Sequence, residues 1–268
     1  MTALMVLFLL IGQFLGGQTG MILALLFGLG VNFFSYWFSD RVVLRMYRAT
    51  EVDRSKAPKL YDMVDRLRQN ADLPMPRVYV IPSDQPNAFA TGRNPANAAV
   101  AVTNGIVSTL TPAELEGVLA HELAHVKNRD ILTSSVAAAV ATSITMLVRF
   151  SMFFGGRDRG SVIGSLLMLI LAPIAAMFIQ MGISRAREFS ADRDGARICG
   201  SPRSLASALN KLQLGAESIE MNADPATAHM FIVSPFAGRA GGFKRLFSTH
   251  PPTEERIRRL MELDRTEF

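Results

Sequence analysis

His121-Glu122-Leu123-Ala124-His125 brings two imidazoles and a carboxylate within five residues. On an α-helix, side chains four residues apart lie one turn apart on the same face, about 6 Å along the axis, close enough to share one cation. This is the H-E-x-x-H pattern of zinc hydrolases, in which both histidines hold the metal and the glutamate acts as general base. A catalytic zinc keeps three protein ligands and one position for water, so a further carboxylate or imidazole must come from another part of the chain. Glu188 and Asp192, one helical turn apart in Arg185-Ala186-Arg187-Glu188-Phe189-Ser190-Ala191-Asp192, are candidates. Glu188 would ligate the metal, and Asp192 would accept the outer N–H of a zinc histidine. The same spacing equally suits ordinary intrahelical pairs, Glu188 with Arg185, or Asp192 with Arg187 and Arg193. Spacing alone leaves both readings open.

The motif does chemistry only if its segment is helical. Thr111-Pro112-Ala113-Glu114 supplies an N-cap, a proline in the first helical position and a glutamate closing a capping box. Leu115, Val118, Leu119, Leu123 and Val126 then recur at helical spacing, which predicts a helix from about Thr111 to Asn128. Upstream, Ser55 to Ala71 reads as an amphipathic helix, and Arg77 to Ile81, Asn87 to Thr91 and Ala98 to Thr103 read as short strands of a small sheet. Downstream, a helix over Ser184 to Cys199 stops at Gly200, and another starts at Ser201-Pro202 and runs to about Leu214. Glu217 to Gly242 reads as loop, and Pro252 to Leu263 as a solvated helix. An exposed strand edge would hold a peptide extended through main-chain hydrogen bonds, a role that Asn87, Ala88, Phe89, Ala90 and Thr91 fit, although Phe89 suits a core position equally well.

With 268 residues, 49% of them hydrophobic, and a mean hydropathy of +0.23, the chain is too apolar for an ordinary soluble domain. The excess is concentrated. No charged side chain precedes Asp40, and the uncharged runs Thr2 to Gly16, Met21 to Phe38, Ile131 to Val148 and Gly160 to Ser184 are four candidate bilayer spans. The second and fourth have the required length; the first is short and the third is rich in Ala, Ser and Thr, so a re-entrant or interfacial hairpin is the alternative for these two. The first run lacks a basic start and leads straight into the second, so it is expected to be retained rather than cleaved. Arg41, Arg45 and Arg48 follow the second run, Lys127 and Arg129 precede the third, and Arg185, Arg187 and Arg193 follow the fourth. By the positive-inside rule these flanks are cytoplasmic. The net charge of +5 is thereby explained by arginines beside an anionic leaflet, and with no zinc-finger spacing or aromatic-basic patch, nucleic acid is not an expected partner. Cys199, the one cysteine, excludes an intramolecular disulfide.

Four blocks together resemble a known family. They are Pro86-Asn87-Ala88-Phe89-Ala90-Thr91-Gly92, the His121 to His125 motif, Ser184-Arg185-Ala186-Arg187-Glu188-Phe189-Ser190-Ala191-Asp192, and Ser248-Thr249-His250-Pro251-Pro252-Thr253-Glu254-Glu255-Arg256. The combination is similar to HtpX, the bacterial inner-membrane zinc metalloproteases related to the CAAX prenyl proteases. The resemblance implies one Zn2+ per chain held by His121, His125 and Glu188, with Asp192 supporting a histidine and Glu122 passing a proton from water to the departing amine. It also makes His250 the candidate donor to the developing oxyanion, with a capping or packing histidine as the alternative. Arg256 would position that tail or sit as a solvated helix arginine, and His229 is expected to be structural. The N-terminus departs from the pattern in lacking the basic residues expected there.

The expected architecture is a mainly α membrane protein with four transmembrane helices and a cytoplasmic α+β zincin-like (gluzincin) protease domain carrying a small β-sheet. Residues 1–38 form an N-terminal hairpin, 39–130 the first part of the protease domain, 131–184 a second hairpin and 185–268 the second part. The expected location is the inner membrane, multi-pass, with the active site on the cytoplasmic side. Expected partners are the lipid bilayer and polypeptide substrates, chiefly misfolded or damaged membrane proteins; no residue pattern specifies an oligomer. The alternatives are a CAAX-type protease trimming prenylated chains and a non-catalytic membrane scaffold or chaperone, whose structural zinc would be closed by four protein ligands.

Overall fold

The computed structural model describes residues 17–20, 22–23, 26–27, 37, 40–41, 43–130, 182–218 and 251–268. The chain divides into two compact units, Met1–Ser39 with Leu132–Ile183, and Asp40–Ile131 with Ser184–Phe268. In the first, Ile22, Leu23, Leu26, Phe27 and Trp37 are helical and exposed. Among the described residues no helix is long and apolar enough to cross a membrane. The four expected spans lie wholly or largely outside the described residues, as does most of the 217–242 loop.

The second unit contains a four-stranded mixed sheet of β1 (Thr50–Val52), β2 (Arg77–Ile81), β3 (Ala88–Thr91) and β4 (Ala99–Thr103), in the order β1-β2-β4-β3. β2 and β4 are parallel, while β1 on β2 and β3 on β4 are antiparallel. Central β4 is buried along its whole length, as expected where a strand is covered on both faces. Its valines and alanines divide the work. Val100 and Val102 join Val78 and Ala88 in the main core, whereas Ala99 and Ala101 join Leu44, Tyr79, Ile81 and Phe89 in a smaller cluster. Phe89 is thus a core side chain, its ring tilted against Tyr47 at 5.8 Å.

The helices of this unit are α1 (Pro58–Asn70), α2 (Asn104–Thr109), α3 (Pro112–Lys127), α4 (182–199), α5 (Pro202–Ser218) and α6 (Thr253–Glu267). At the start of α3 the Thr111 hydroxyl accepts from Glu114 N–H and the Glu114 carboxylate accepts from Thr111 N–H, the expected capping box. Glu114 also accepts from Ser207 and Lys211 of α5. Burial opposes its charge, yet these bonds outweigh that and hold its pKa down to about 2. Eleven of the 16 residues of α3 are buried, because α3 packs against β3 and β4, α1 and α5. Close approach requires small residues: a Cβ on Gly117 would stand 2.7 Å from the Leu205 main-chain nitrogen of α5.

Two elements went unforeseen. β1 is only three residues long, and its polar Thr50-Glu51 pair hides a strand that exists by pairing with β2. In α2, Asn104-Gly105 reads as a turn, but the Thr103 hydroxyl accepts from Ile106 N–H and starts a short helix. The final helix is less solvated than its charges suggest, because Arg256 and Leu260 are buried in the unit.

Candidate metal centre

α3 presents His121, Glu122 and His125, and α4 lies against it. The approach is close at Gly195, where a Cβ would stand 2.8 Å from both Cα and N of His121. Glu188 and Asp192, about two turns and one turn before that glycine, are buried with His121. One ligand atom from each of His121, His125 and Glu188 lies within 4.8 Å of the others. The two Nε2 atoms are 3.1 Å apart, and Glu188 oxygens stand 3.7 Å from His121 Nε2 and 3.5 Å from His125 Nε2.

The outer ring nitrogens face carboxylates. His125 Nδ1 is 2.6 Å from Asp130 Oδ2, a full hydrogen bond. His121 Nδ1 is 3.0 Å from Asp192 Oδ1, close enough for an ion pair although less well aligned as a hydrogen bond. An ionised carboxylate only accepts, so in the neutral ring that a metal requires each Nδ1 would carry the proton and each Nε2 would turn its lone pair inward. Two Nε2 atoms 3.1 Å apart, with a carboxylate as third neighbour, are donors that a cation would gather between them once both rings are neutral. For bonds of 2.0–2.1 Å, tetrahedral ligands stand roughly 3.3 Å apart, so the spacing suits zinc. Two imidazoles and one carboxylate is a hydrolytic zinc set rather than the all-oxygen set of magnesium or calcium.

The charges agree. Among the described residues, Glu122, Asp130, Glu188 and Asp192 are buried together with Arg256. Arg256, 1% exposed, donates Nε to Asp192 Oδ2 at 2.8 Å and Nη2 to Asp192 Oδ1 at 2.6 Å. Its Nη1 lies 3.7 Å from Glu188 Oε2, and its Nη2 3.4 Å from His121 Nε2. Burial disfavours a charged Asp192, but Arg256 and His121 outweigh burial and hold its pKa down to about 2. Burial likewise disfavours a charged His125, yet the bond to Asp130 and the charges of Glu188 and Glu122 push its pKa up to about 9. The surplus of negative charge is what a bound dication neutralises.

Glu122 sits beside the trio without being part of it, its Oε2 accepting from Ala90 N–H at 2.9 Å. Thr103 N–H donates to Asn87 O at 2.9 Å, which makes residues 87 and 103 a bonded pair of the β3–β4 ladder. The alternation of an antiparallel ladder then turns the main-chain groups of Ala88 and Ala90 away from β4. β3 therefore offers an outward edge beside Glu122. Thr91 pairs with Ala99 at the end of that ladder, and Asn87 Oδ1 is buried without a hydrogen-bond partner among the described residues.

His250 and His229 lie outside the described residues. Two residues in the centre were poorly legible beforehand. Arg256 is ringed in sequence by Glu254, Glu255, Arg258 and Arg259, which disguise it as surface. Asp130 is five residues beyond His125, off the helical face, and reaches it only because Arg129 adopts a left-handed conformation with φ 53°.

Peptidase family M48 matches residues 54–264 of the chain. Proteins named Protease HtpX homolog are similar along nearly their whole length. That of Salinibacter ruber is 62% identical over 263 residues, covering 98% of this chain and 95% of its own. That of Persephonella marina is 57% identical over 270 residues, covering 97% and 93%. That of Burkholderia cenocepacia strain HI2424 is 57% identical over 273 residues, covering 99% and 95%. Among solved structures, S. mikatae Ste24p shares the fold with a TM-score of 0.59 at 21% identity, over 96% of this chain and 62% of that one.

Proposed function

The chain belongs to peptidase family M48 and is a metalloprotease of the HtpX type, and from that premise we propose that it is a zinc endopeptidase acting on misfolded or damaged membrane proteins. The observation that carries the reading is the convergence of His121, His125 and Glu188 to within 4.8 Å, with Glu122 beside them on the outward edge of β3. His121, His125 and Glu188 would hold one zinc ion, and Asp192 would orient His121. Zinc bound there supplies Lewis-acid polarisation of the scissile carbonyl and lowers the pKa of a water to about 7.

The chain's own residues do the rest. The β3 edge aligns an extended peptide by main-chain bonds, which demand no particular sequence. Glu122 takes the proton of the attacking water and delivers it to the departing amine. His250 would donate to the oxyanion. A structural site in a non-catalytic scaffold would need a fourth side chain, and among the described residues the ligand cluster has three.

We place the protein in the inner membrane with residues 1–38 and 131–184 as the two hairpins and the protease parts, 39–130 and 185–268, on the cytoplasmic side. Support comes from the four uncharged runs and from the arginines and lysines at three of their flanks. The deciding experiment is Glu122→Gln in detergent-solubilised protein. It should retain stoichiometric zinc and lose proteolysis of an unfolded membrane protein. Undiminished turnover by that variant would eliminate the mechanism.

A further inference from the structure

We propose that Asp130 is a positioning residue for the centre: its carboxylate fixes the tautomer and ring orientation of His125, as Asp192 does for His121. The inference rests on His125 being a metal ligand. The contact is 2.6 Å between His125 Nδ1 and Asp130 Oδ2, shorter than the 3.0 Å of the His121–Asp192 pair. Nothing in the helix periodicity brings these two side chains together. α3 ends at Lys127, Asn128 N–H still bonds to Ala124 O, and Arg129 N–H to Val126 O. Arg129 then takes φ 53°, a left-handed conformation that non-glycine residues adopt only at a cost. That turn delivers Asp130 to His125.

Asp130 is buried just beyond the turn that ends α3. Its Oδ2 meets an imidazole nitrogen there, at 2.6 Å. The turn is also fastened to α4, the helix that carries Glu188: Asn128 Nδ2 donates to Asp194 Oδ2 at 2.9 Å, and Arg187 Nη1 donates to Asp130 O at 3.4 Å. One helix therefore sets both the carboxylate of the trio and the turn that aims His125. A carboxylate on the outer nitrogen raises the basicity of the inner one, and removing such a partner typically costs 10–100-fold in metal affinity.

The test uses the full chain in detergent, with Zn2+ affinity measured by competition against a chromophoric chelator and geometry by the ligand-field absorption of bound Co2+. Asp130→Ala should weaken Zn2+ about 10–100-fold and alter the Co2+ bands, whatever it takes from the metal-free melting temperature through the lost bond. Asp130→Asn, which keeps an acceptor of the same shape without the charge, should fall between, and it decides the matter if the alanine variant does not fold. Affinity within twofold of wild type in the variant that folds, or a lower metal-free melting temperature at unchanged affinity, would assign Asp130 to the turn alone and overturn the inference while leaving the trio intact. Failure of the wild type itself to bind Zn2+ would instead overturn the ligand assignment and this inference with it.

Discussion

Glu122 and Ala90 share a hydrogen bond of 2.9 Å between a carboxylate on α3 and a main-chain N–H on β3. The proposed general base is thus tied to the strand edge proposed to receive the peptide, and chemistry and substrate alignment share one reference point. Ala90→Pro removes the donor. Because that N–H faces away from β4, a proline is tolerated there. A lost bond to a charged acceptor costs about 1.5–3 kcal/mol, so kcat/KM should fall roughly 10–100-fold with zinc content unchanged. Peptidase assays alongside metal analysis check this; full activity would make the bond incidental.

The helix crossing at Gly195 is a second test. A methyl group there would meet His121 main-chain atoms at 2.8 Å, so α4 must move outward and carry Glu188 with it. Gly195→Ala should lower stability by about 1–3 kcal/mol and reduce zinc stoichiometry. Thermal melts with and without added zinc measure both effects.

Arg256 neutralises Asp192 where neither reaches water. Arg256→Met strands a buried carboxylate and should cost about 3–5 kcal/mol. The double variant Arg256→Met/Asp192→Leu should recover much of that stability while His121 loses its orienting partner, so its zinc affinity stays low. Equal stability of the single and double variants would mean that the two charges are not coupled.

The pH dependence follows from Glu114. Its folded pKa of about 2 lies below the ordinary 4.5, so its contribution is present above about pH 4.5 and is lost as pH falls toward 2. Glu114→Gln should lower stability by about 1–2 kcal/mol at neutral pH and flatten the acid side of the stability profile. Melting temperatures of both proteins between pH 3 and 7 provide the measurement.

Local signals read well. The capping box at Thr111 to Glu114 sets the start of α3 on the page as in the fold, and Val78-Tyr79-Val80-Ile81 marks β2 by composition. Glu188 and Asp192 stood out by spacing, yet spacing gave no means of choosing between intrahelical pairing and the centre; Asp192 turns to His121 and Arg256 on other helices. What escaped depends on long-range packing or on backbone torsion. Gly195 is one small residue among many until α3 lies across it. Asp130 needs the unusual φ of Arg129, and Arg256, set among Glu254, Glu255, Arg258 and Arg259, needs the burial of its helix.

His121 and His125 precede residues 131–183, while Glu188, Asp192 and Arg256 follow them. A ribosome making this chain therefore delivers the whole intervening apolar stretch before the three proposed ligands can meet, and Arg256 later still. We expect a nascent protease to stay inert toward its own insertion machinery, and a chain halted ahead of Arg256 to hold zinc poorly; tight zinc retention by such a fragment would refute this order of maturation.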